Sequence, residues 1–315
     1  MSNSTPITKR YDFVIFFDCK NGNPNGDPDF DNRPRCDSLT GLGMVSDVCL
    51  KRKIRDCVCL LKNGDEHNQI FIRQGENLET KIVSTAEEVG LALNKKTSKK
   101  QKSNSNETDD KKQKVSAEEG RQIREALLGK YYDLRTFGGV LTTLAGTGSS
   151  NLRGPVQMSM SESVEPIDIK RVSVARVCQA SEEKEEEKGG NGTFGKKYIT
   201  PYALYRCDGS INPEIAKRTN FSEDDLQLFW EAIKNMFIND MSASRGLMTV
   251  RKLVIFEHNS AWGTQPAELL EKVKVKRINP SEDIYASSYN DYSITVEELP
   301  SSLSEKVKVT VLDLA

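Results

Sequence analysis

Apolar positions along this chain follow two rhythms, one of strands and one of helices. Tyr11-Asp-Phe-Val-Ile-Phe-Phe17 is a run of apolar, aromatic and β-branched residues, the pattern of a buried strand. Leu50, Ile54, Cys57, Val58 and Leu61 then recur at i, i+4, i+7, i+8 and i+11, which predicts a helix with one apolar stripe facing a sheet. Ser46 suits its N-cap, and Asp47 is favourable in the positive first turn. Val156, Met158 and Met160 alternate with polar residues, as do Tyr202 and Leu204 within the stretch 198–205. A second helix is expected to begin at Phe221-Ser-Glu-Asp-Asp-Leu226. Ser222 is its N-cap, Asp225 lies three residues on, and Phe221 can staple against Leu226. Its apolar face is Leu226, Phe229, Trp230, Ile233 and Phe237, and a strand over 252–258 follows Gly246. Strand, basic helix, central strands, apolar helix and strand give the βαββαβ order of an α+β, ferredoxin-like core.

Two polar stretches interrupt this pattern. Residues 94–119 carry almost no apolar side chains and read as a disordered or mobile basic loop, more a solubilising insertion than a nucleic-acid contact. The run Glu182 to Gly192 lies between the strand-like segments 169–178 and 197–206, which describes a projecting hairpin with a polar tip. That tip passes from glutamates through glycines to Thr193-Phe-Gly-Lys-Lys197. Its basic, aromatic half (Thr193, Phe194, Lys196 and Lys197) is expected to meet nucleic acid, with the glutamates facing solvent.

Chemistry concentrates between the first strand and the first helix. Asn21-Gly-Asn-Pro-Asn-Gly-Asp-Pro-Asp29 is too rigid and too polar for a core, and Asn32-Arg-Pro-Arg35 holds two arginines apart by one proline. The helix that follows sets Lys51, Arg55 and Lys62 on the flank beside its apolar stripe, with Arg52 beyond. Cations on a helix surface are ordinarily a solvated face and nothing more. An Arg-Pro-Arg loop aimed at the same corner favours a grip on a phosphate backbone. The expected contacts are therefore Arg33, Arg35, Lys51, Arg52, Lys53 and Arg55, joined by Arg153, Gln157 and Arg245. Gly154 and Gly246 each adjoin an arginine, so close backbone approach to a nucleic acid is expected there in preference to a mere tight turn.

Composition alters this picture in a few places. A formal net charge of -1, with 29% of residues charged, is unusual for a nucleic-acid binder. The charge is segregated, however, with cations at 51–55, 95–102 and 196–197 and acids at 182–187 and 223–225. Seven cysteines, a polar start without an apolar leader and no apolar run near ~20 residues indicate a cytoplasmic protein with no membrane partner. Cys57-Val-Cys59 is too close for the usual zinc pairing, and His67 and His258 are isolated, so a zinc site or a histidine-based nuclease is not expected. Gly138-Gly139 and Gly146-Thr-Gly148 lack the Gly-Lys-Ser/Thr of a phosphate loop. Asp18, Asp27, Asp29 and Asp31 could be imagined as a magnesium cluster of a metal-dependent endoribonuclease, but aspartates flanking a proline in a turn commonly cap amides. A non-specific single-strand binder would need exposed stacking aromatics, and at 7% most aromatics here fall in core patterns. No cofactor and no metal are expected, and the chain is read as a non-enzyme.

Segment 21–35, followed by Ser46-Asp-Val-Cys-Leu-Lys-Arg-Lys-Ile-Arg55, resembles the backbone subunit of type I-C CRISPR surveillance complexes (Cascade), of the RAMP superfamily. Asp133-Leu-Arg-Thr-Phe-Gly138, Arg153-Gly-Pro-Val-Gln157, Lys197-Tyr-Ile-Thr-Pro-Tyr202 and Arg245-Gly-Leu-Met248 continue the resemblance in order, from about Arg10 to Val296. Leu42 stands where that family usually has a histidine. The resemblance implies an RNA-recognition-motif palm with an inserted helical segment and a projecting thumb hairpin. Residues 1–66 would begin the palm, 67–132 form the insertion with its flexible loop near 94–119, and 133–178 the central strands. Residues 179–197 would be the thumb tip and 198–315 the rest of the palm with the C-terminal strands. It also implies a non-catalytic subunit that polymerises along CRISPR RNA for antiviral defence. Implied partners are neighbouring copies, the target DNA strand paired to the guide, and the other Cascade subunits: the 5′-handle-binding or processing subunit, the large subunit and the small subunit. A helicase-nuclease would be recruited indirectly.

Overall fold

The computed structural model describes residues 5–91, 93, 115–144, 147–148, 150–176, 193–280 and 285–314. The chain divides into two compact units, each built from three stretches. One, the sheet unit, comprises Lys9–Ile54, Met158–Ile211 and Glu231–Ala315. The other, the helical unit, comprises Met1–Thr8, Arg55–Gln157 and Asn212–Trp230, so residues 133–157 group with the helices and not with the strands.

The sheet unit is organised by β1 (Tyr11–Gly22), β2 (Leu42–Val45), β3 (Ser161–Pro166), β4 (Lys170–Arg176), β5 (Thr193–Ile211), β6 (Leu247–His258) and β7 (Val307–Asp313). The sheet runs β7-β6-β1-β5-β3-β2. Its inner four strands are the last, first, third and second of a βαββαβ chain, each antiparallel to its neighbours, which is the ferredoxin-like order. β1 is central, pairing Tyr11 with Ile211 on one side and with Glu257 on the other. Its unbroken apolar run is explained by burial of both faces. Val14 and Phe16 join Tyr202, Leu204, Val254 and Phe256 on the face covered by Leu269, Val273 and Tyr292. Phe13, Ile15 and Phe17 alternate with them and are equally buried. Phe17 stacks on Tyr205 at 5.3 Å and meets Phe237 at 5.5 Å.

Helix α1 spans Asp47–Leu61 and starts where the capping signal placed it, with Cys49 N donating to Ser46 Oγ. Leu50, Ile54, Cys57 and Val58 are buried, whereas Leu61, at the end of the stripe, is exposed. Of the alternating methionines, Met158 is buried and Met160 exposed. The hairpin arms β4 and β5 pair from Thr193 with Arg176 to Ile199 with Lys170. The tip, residues 177–192, lies outside the described residues, as do the side chains of Thr193 and Phe194.

The helical unit contains α2 (Leu78–Glu88), α3 (Ala117–Lys130) and α4 (Tyr132–Phe137). Residues 94–114 are outside the described residues, but the loop expected to reach residue 119 gives way to helix earlier. Ser116 and Glu119 form a complete capping box at the start of α3, satisfying two helix-terminal amides reciprocally. The apolar side chains of Phe71, Ile82, Ile123, Leu127, Leu134, Leu144 and Leu152 make a separate core. Buried charges fix it further. Asp133 accepts from Arg55 Nε at 2.8 Å and from the amides of Phe71 and Ile72 at 2.7 and 3.0 Å. Arg135 grips Asp225 through Nε and Nη2, and donates to the carbonyls of His67 and Leu128 and to Asn68 Oδ1. Ser222 caps the following helix, Glu223–Asn235, through Asp225 N, as its sequence indicates.

His258, at the end of β6, is a buried strand-end residue. Its Nε2 lies 2.8 Å from Asp12, which Arg10 also holds through two hydrogen bonds. Burial alone would raise the Asp12 carboxyl, but the hydrogen bonds from His258 and Arg10 outweigh it and hold the group below the ordinary carboxylate range. A depressed folded-state value stabilises the protein above the unfolded value of about 3.9 and is lost as pH falls through the folded value. The urea midpoint of the wild type should therefore drop on acidification below about pH 4. Asp12→Asn should lower the neutral-pH midpoint and shrink that drop; an identical acid limb in the variant would contradict the assignment.

Candidate nucleic-acid interface

The polar loop of the sheet unit folds as a rigid platform. Gly26–Asp27 pairs with Arg33–Pro34, and a 3-10 turn over Pro28–Phe30 closes the hairpin. Asp27 Oδ1 accepts from Asp29 N, Asn32 N donates to the Asp27 carbonyl, and Asp31 and Asn32 adopt left-handed backbone. Asn23 Nδ2 donates to the Asn32 carbonyl. Asn25 Oδ1 accepts from both N and Oγ of Ser46, tying the loop to the start of α1. Asp27 and Asp31 are thus engaged in turns and pairs: Asp27 lies 3.5 Å from Arg35, and Asp31 accepts from the Tyr198 hydroxyl. Asp18 is buried apart from them, accepting from Arg251 Nε and the Tyr202 hydroxyl, with burial raising its carboxyl. Among the described residues no group of three His, Cys, Asp or Glu side chains could hold a metal ion.

Two further segments converge on this platform, residues 197–198 of β5 and the loop 243–246. Arg33 lies over the Tyr198 ring of β5 at 4.7 Å. Lys197, one residue earlier, donates to the Ala243 carbonyl at 3.3 Å. Asn23 N donates to the Ser244 carbonyl, and Gly22 packs so closely that a Cβ would stand 1.8 Å from the Arg245 carbonyl oxygen. Gly246, at φ +67°, leaves no room for a Cβ against the Lys20 and Asn21 carbonyls. Its glycine requirement therefore comes from the protein's own chain packing. The same holds at Gly154 in the helical unit, where a Cβ would meet the Phe137 and Thr136 backbone within 2.5 Å.

The expected contact residues divide by accessibility. Arg33 is exposed, and Arg35, Lys197 and Arg245 are half-buried, on this one platform, while Lys196, the neighbour of Lys197 on β5, is exposed. On α1, Arg52 is exposed, and Lys51 is half-buried and bonded to Asp47 at 2.9 Å. Lys53 and Arg55 do not project as the helical pattern suggests. Lys53 is buried on Asp240, and Arg55 is buried on Asp133 and lies over the Phe137 ring at 5.2 Å. Their charges are neutralised inside the protein, because a buried cation is tolerated only with a partner. Arg153 of the helical unit is exposed, while Gln157 donates to the Gly154 carbonyl. Lys20, exposed at the end of β1, is a cation of this corner that sequence reasoning passed over; its place just before the loop was the available signal.

The model of the family described as CRISPR-associated protein Cas7 matches residues 9–297. A curated CRISPR-associated protein Cas7 of Haloferax volcanii is 26% identical over 244 residues, covering 72% of this chain and 64% of that protein. The chain thus spans less than two thirds of that relative's length. A solved CRISPR RNA-guided surveillance complex, in a pre-nicking state, aligns with a TM-score of 0.49 at 15% identity over 78% of each chain. A second CRISPR RNA-guided surveillance complex aligns with a TM-score of 0.41 at 12% identity, over 78% of this chain and 68% of its own. Among the described residues no helix is long and apolar enough to cross a membrane.

Proposed function

The chain belongs to the CRISPR-associated protein Cas7 family, and from that premise we propose that it is a non-catalytic backbone subunit polymerising along CRISPR RNA. It serves a type I-C antiviral surveillance complex and presents the guide for pairing with target DNA. Specificity then resides in base pairing, and the protein holds the guide through its sugar-phosphate backbone. The observation that carries this reading is the convergence of Arg33, Arg35, Lys197 and Arg245 on one rigid, glycine-packed platform. Guanidinium forks and ammonium groups fixed by a folded loop suit phosphates. Neighbouring copies, the processing, large and small subunits and a cytoplasmic site of action belong to the same proposal, as does the division into palm, insertion and thumb. The paired arms β4 and β5 support a projecting thumb.

Nucleic acid co-purified with the protein should be RNA of uniform length carrying repeat and spacer sequence. Purified protein should leave labelled guide, target RNA and target DNA intact with magnesium or manganese present. Random-length RNA would reject the guide assignment. Cleavage that disappears in Asp27→Asn would establish the metal-dependent endoribonuclease reading instead, since a metal-bridging carboxylate carries most of the charge stabilisation.

A further inference from the structure

One carboxylate of the sheet unit serves two cations at once. Asp240 follows the Glu223–Asn235 helix and has a side chain only 12% exposed. Arg245 Nη1 lies 2.6 Å from its Oδ1 and 3.2 Å from its carbonyl oxygen. Lys53, on α1, is ion-paired with its Oδ2 and is itself 4% exposed, with its ammonium 5.8 Å from the Phe237 ring centroid. Arg245 remains 35% exposed. Its loop is seated from the other side by Asn23 N on the Ser244 carbonyl and by Cys19 Sγ, 3.6 Å from the Arg245 carbonyl.

We propose that Asp240 is a positioning residue for RNA binding: it anchors one end of the Arg245 guanidinium so that the remaining donors face outward as a fixed fork for a phosphate. The inference rests on Arg245 contacting RNA, as in the proposed function. A long arginine left untethered loses rotamer freedom on binding, whereas one already clamped by Nη1 has little left to lose. Lys53 completes the device. With two cations on one carboxylate the cluster carries one net positive charge, and Lys53, being buried, neutralises Asp240 without competing for the ligand. Asp240 therefore directs Arg245 without cancelling it.

The test keeps charge constant. Asp240→Asn alone leaves Lys53 buried without a counterion and can unfold the protein. Lys53→Met with Asp240→Asn removes one charge of each sign and keeps the net charge unchanged. RNA affinity is measured by filter binding of a labelled guide across a salt series, for the wild type, the charge-balanced pair, Arg245→Ala and the triple variant. The pair should lose about tenfold in affinity, the scale of one charge-assisted hydrogen bond. Its salt slope should flatten, and adding Arg245→Ala to it should cost nothing further. Wild-type affinity in a folded charge-balanced pair would overturn the proposal, as would losses that simply add. If Arg245→Ala alone binds RNA as the wild type does, it is the contact role of Arg245 that fails, an outcome separable from failure of the tether.

Discussion

Arg135→Ala should unfold the helical unit at markedly lower urea than the wild type. The guanidinium is buried and makes bonds to Asp225, two carbonyls and Asn68. Truncation leaves Asp225 buried with only its Ser222 contacts, and strands the carbonyls of His67 and Leu128. Breaking a buried pair by removing one partner costs about 3–5 kcal/mol, against about 5–15 kcal/mol for a whole domain. Arg135→Lys should recover little, because an ammonium cannot reproduce the fork that reaches carboxylate, carbonyls and amide together. Replacing both partners, with Arg135→Met and Asp225→Leu, should cost far less than either truncation, since no charge is then left uncompensated. Urea titration followed by circular dichroism measures each variant. A shift below about 1 kcal/mol for Arg135→Ala would show that the buried network contributes little.

These buried charges mark the limit of what the sequence discloses. The apolar run of β1, the stripe of α1 and the capping residues Ser46 and Ser222 are local signals, and each led to the right element. A helical wheel fixes the angle of a side chain but not what lies beside it. Lys53 finds Asp240 187 residues along the chain, and Arg55 finds Asp133 78 residues along. Neither partner can be assigned from spacing, so both lysine and arginine read as surface cations. The segment Asp133 to Gly138 carries part of the family resemblance, and its spacing alone discloses no reason. The structure supplies one: Asp133 and Arg135 are buried hubs, and Gly138 fits against Leu152 and Gly154 with no space for a Cβ. A different failure occurred at α3. Ser116 and Glu119 spell a capping box plainly, but a reading by composition carries the polar character of the residues before them across it. Composition averages over a window, whereas a cap is decided by two side chains.

Removing four cations together should nearly abolish RNA binding. Arg33, Arg35, Lys197 and Arg245 lie on one platform, and none of them is fully buried. At about 1 kcal/mol each, their loss totals about 4 kcal/mol, on the order of 10³-fold in affinity. The salt dependence is the sharper readout. Each phosphate contact on a single strand contributes about 0.7 to the slope of log affinity against log salt, so the quadruple alanine variant should be flatter by about 3. The loss should be the same for guides of unrelated sequence, because phosphates carry no base information. The fold should persist. Asp240 retains Lys53, and the Asp27–Arg35 pair is partly solvated, a kind of contact worth little to stability. Adding Lys53→Ala or Arg55→Ala would not serve the same purpose, since those changes strand Asp240 or Asp133 and lower stability instead. A folded quadruple variant with the wild-type salt slope would place the guide elsewhere on the protein. A slope that flattens with an intact fold would show that phosphate contacts at this corner hold the RNA.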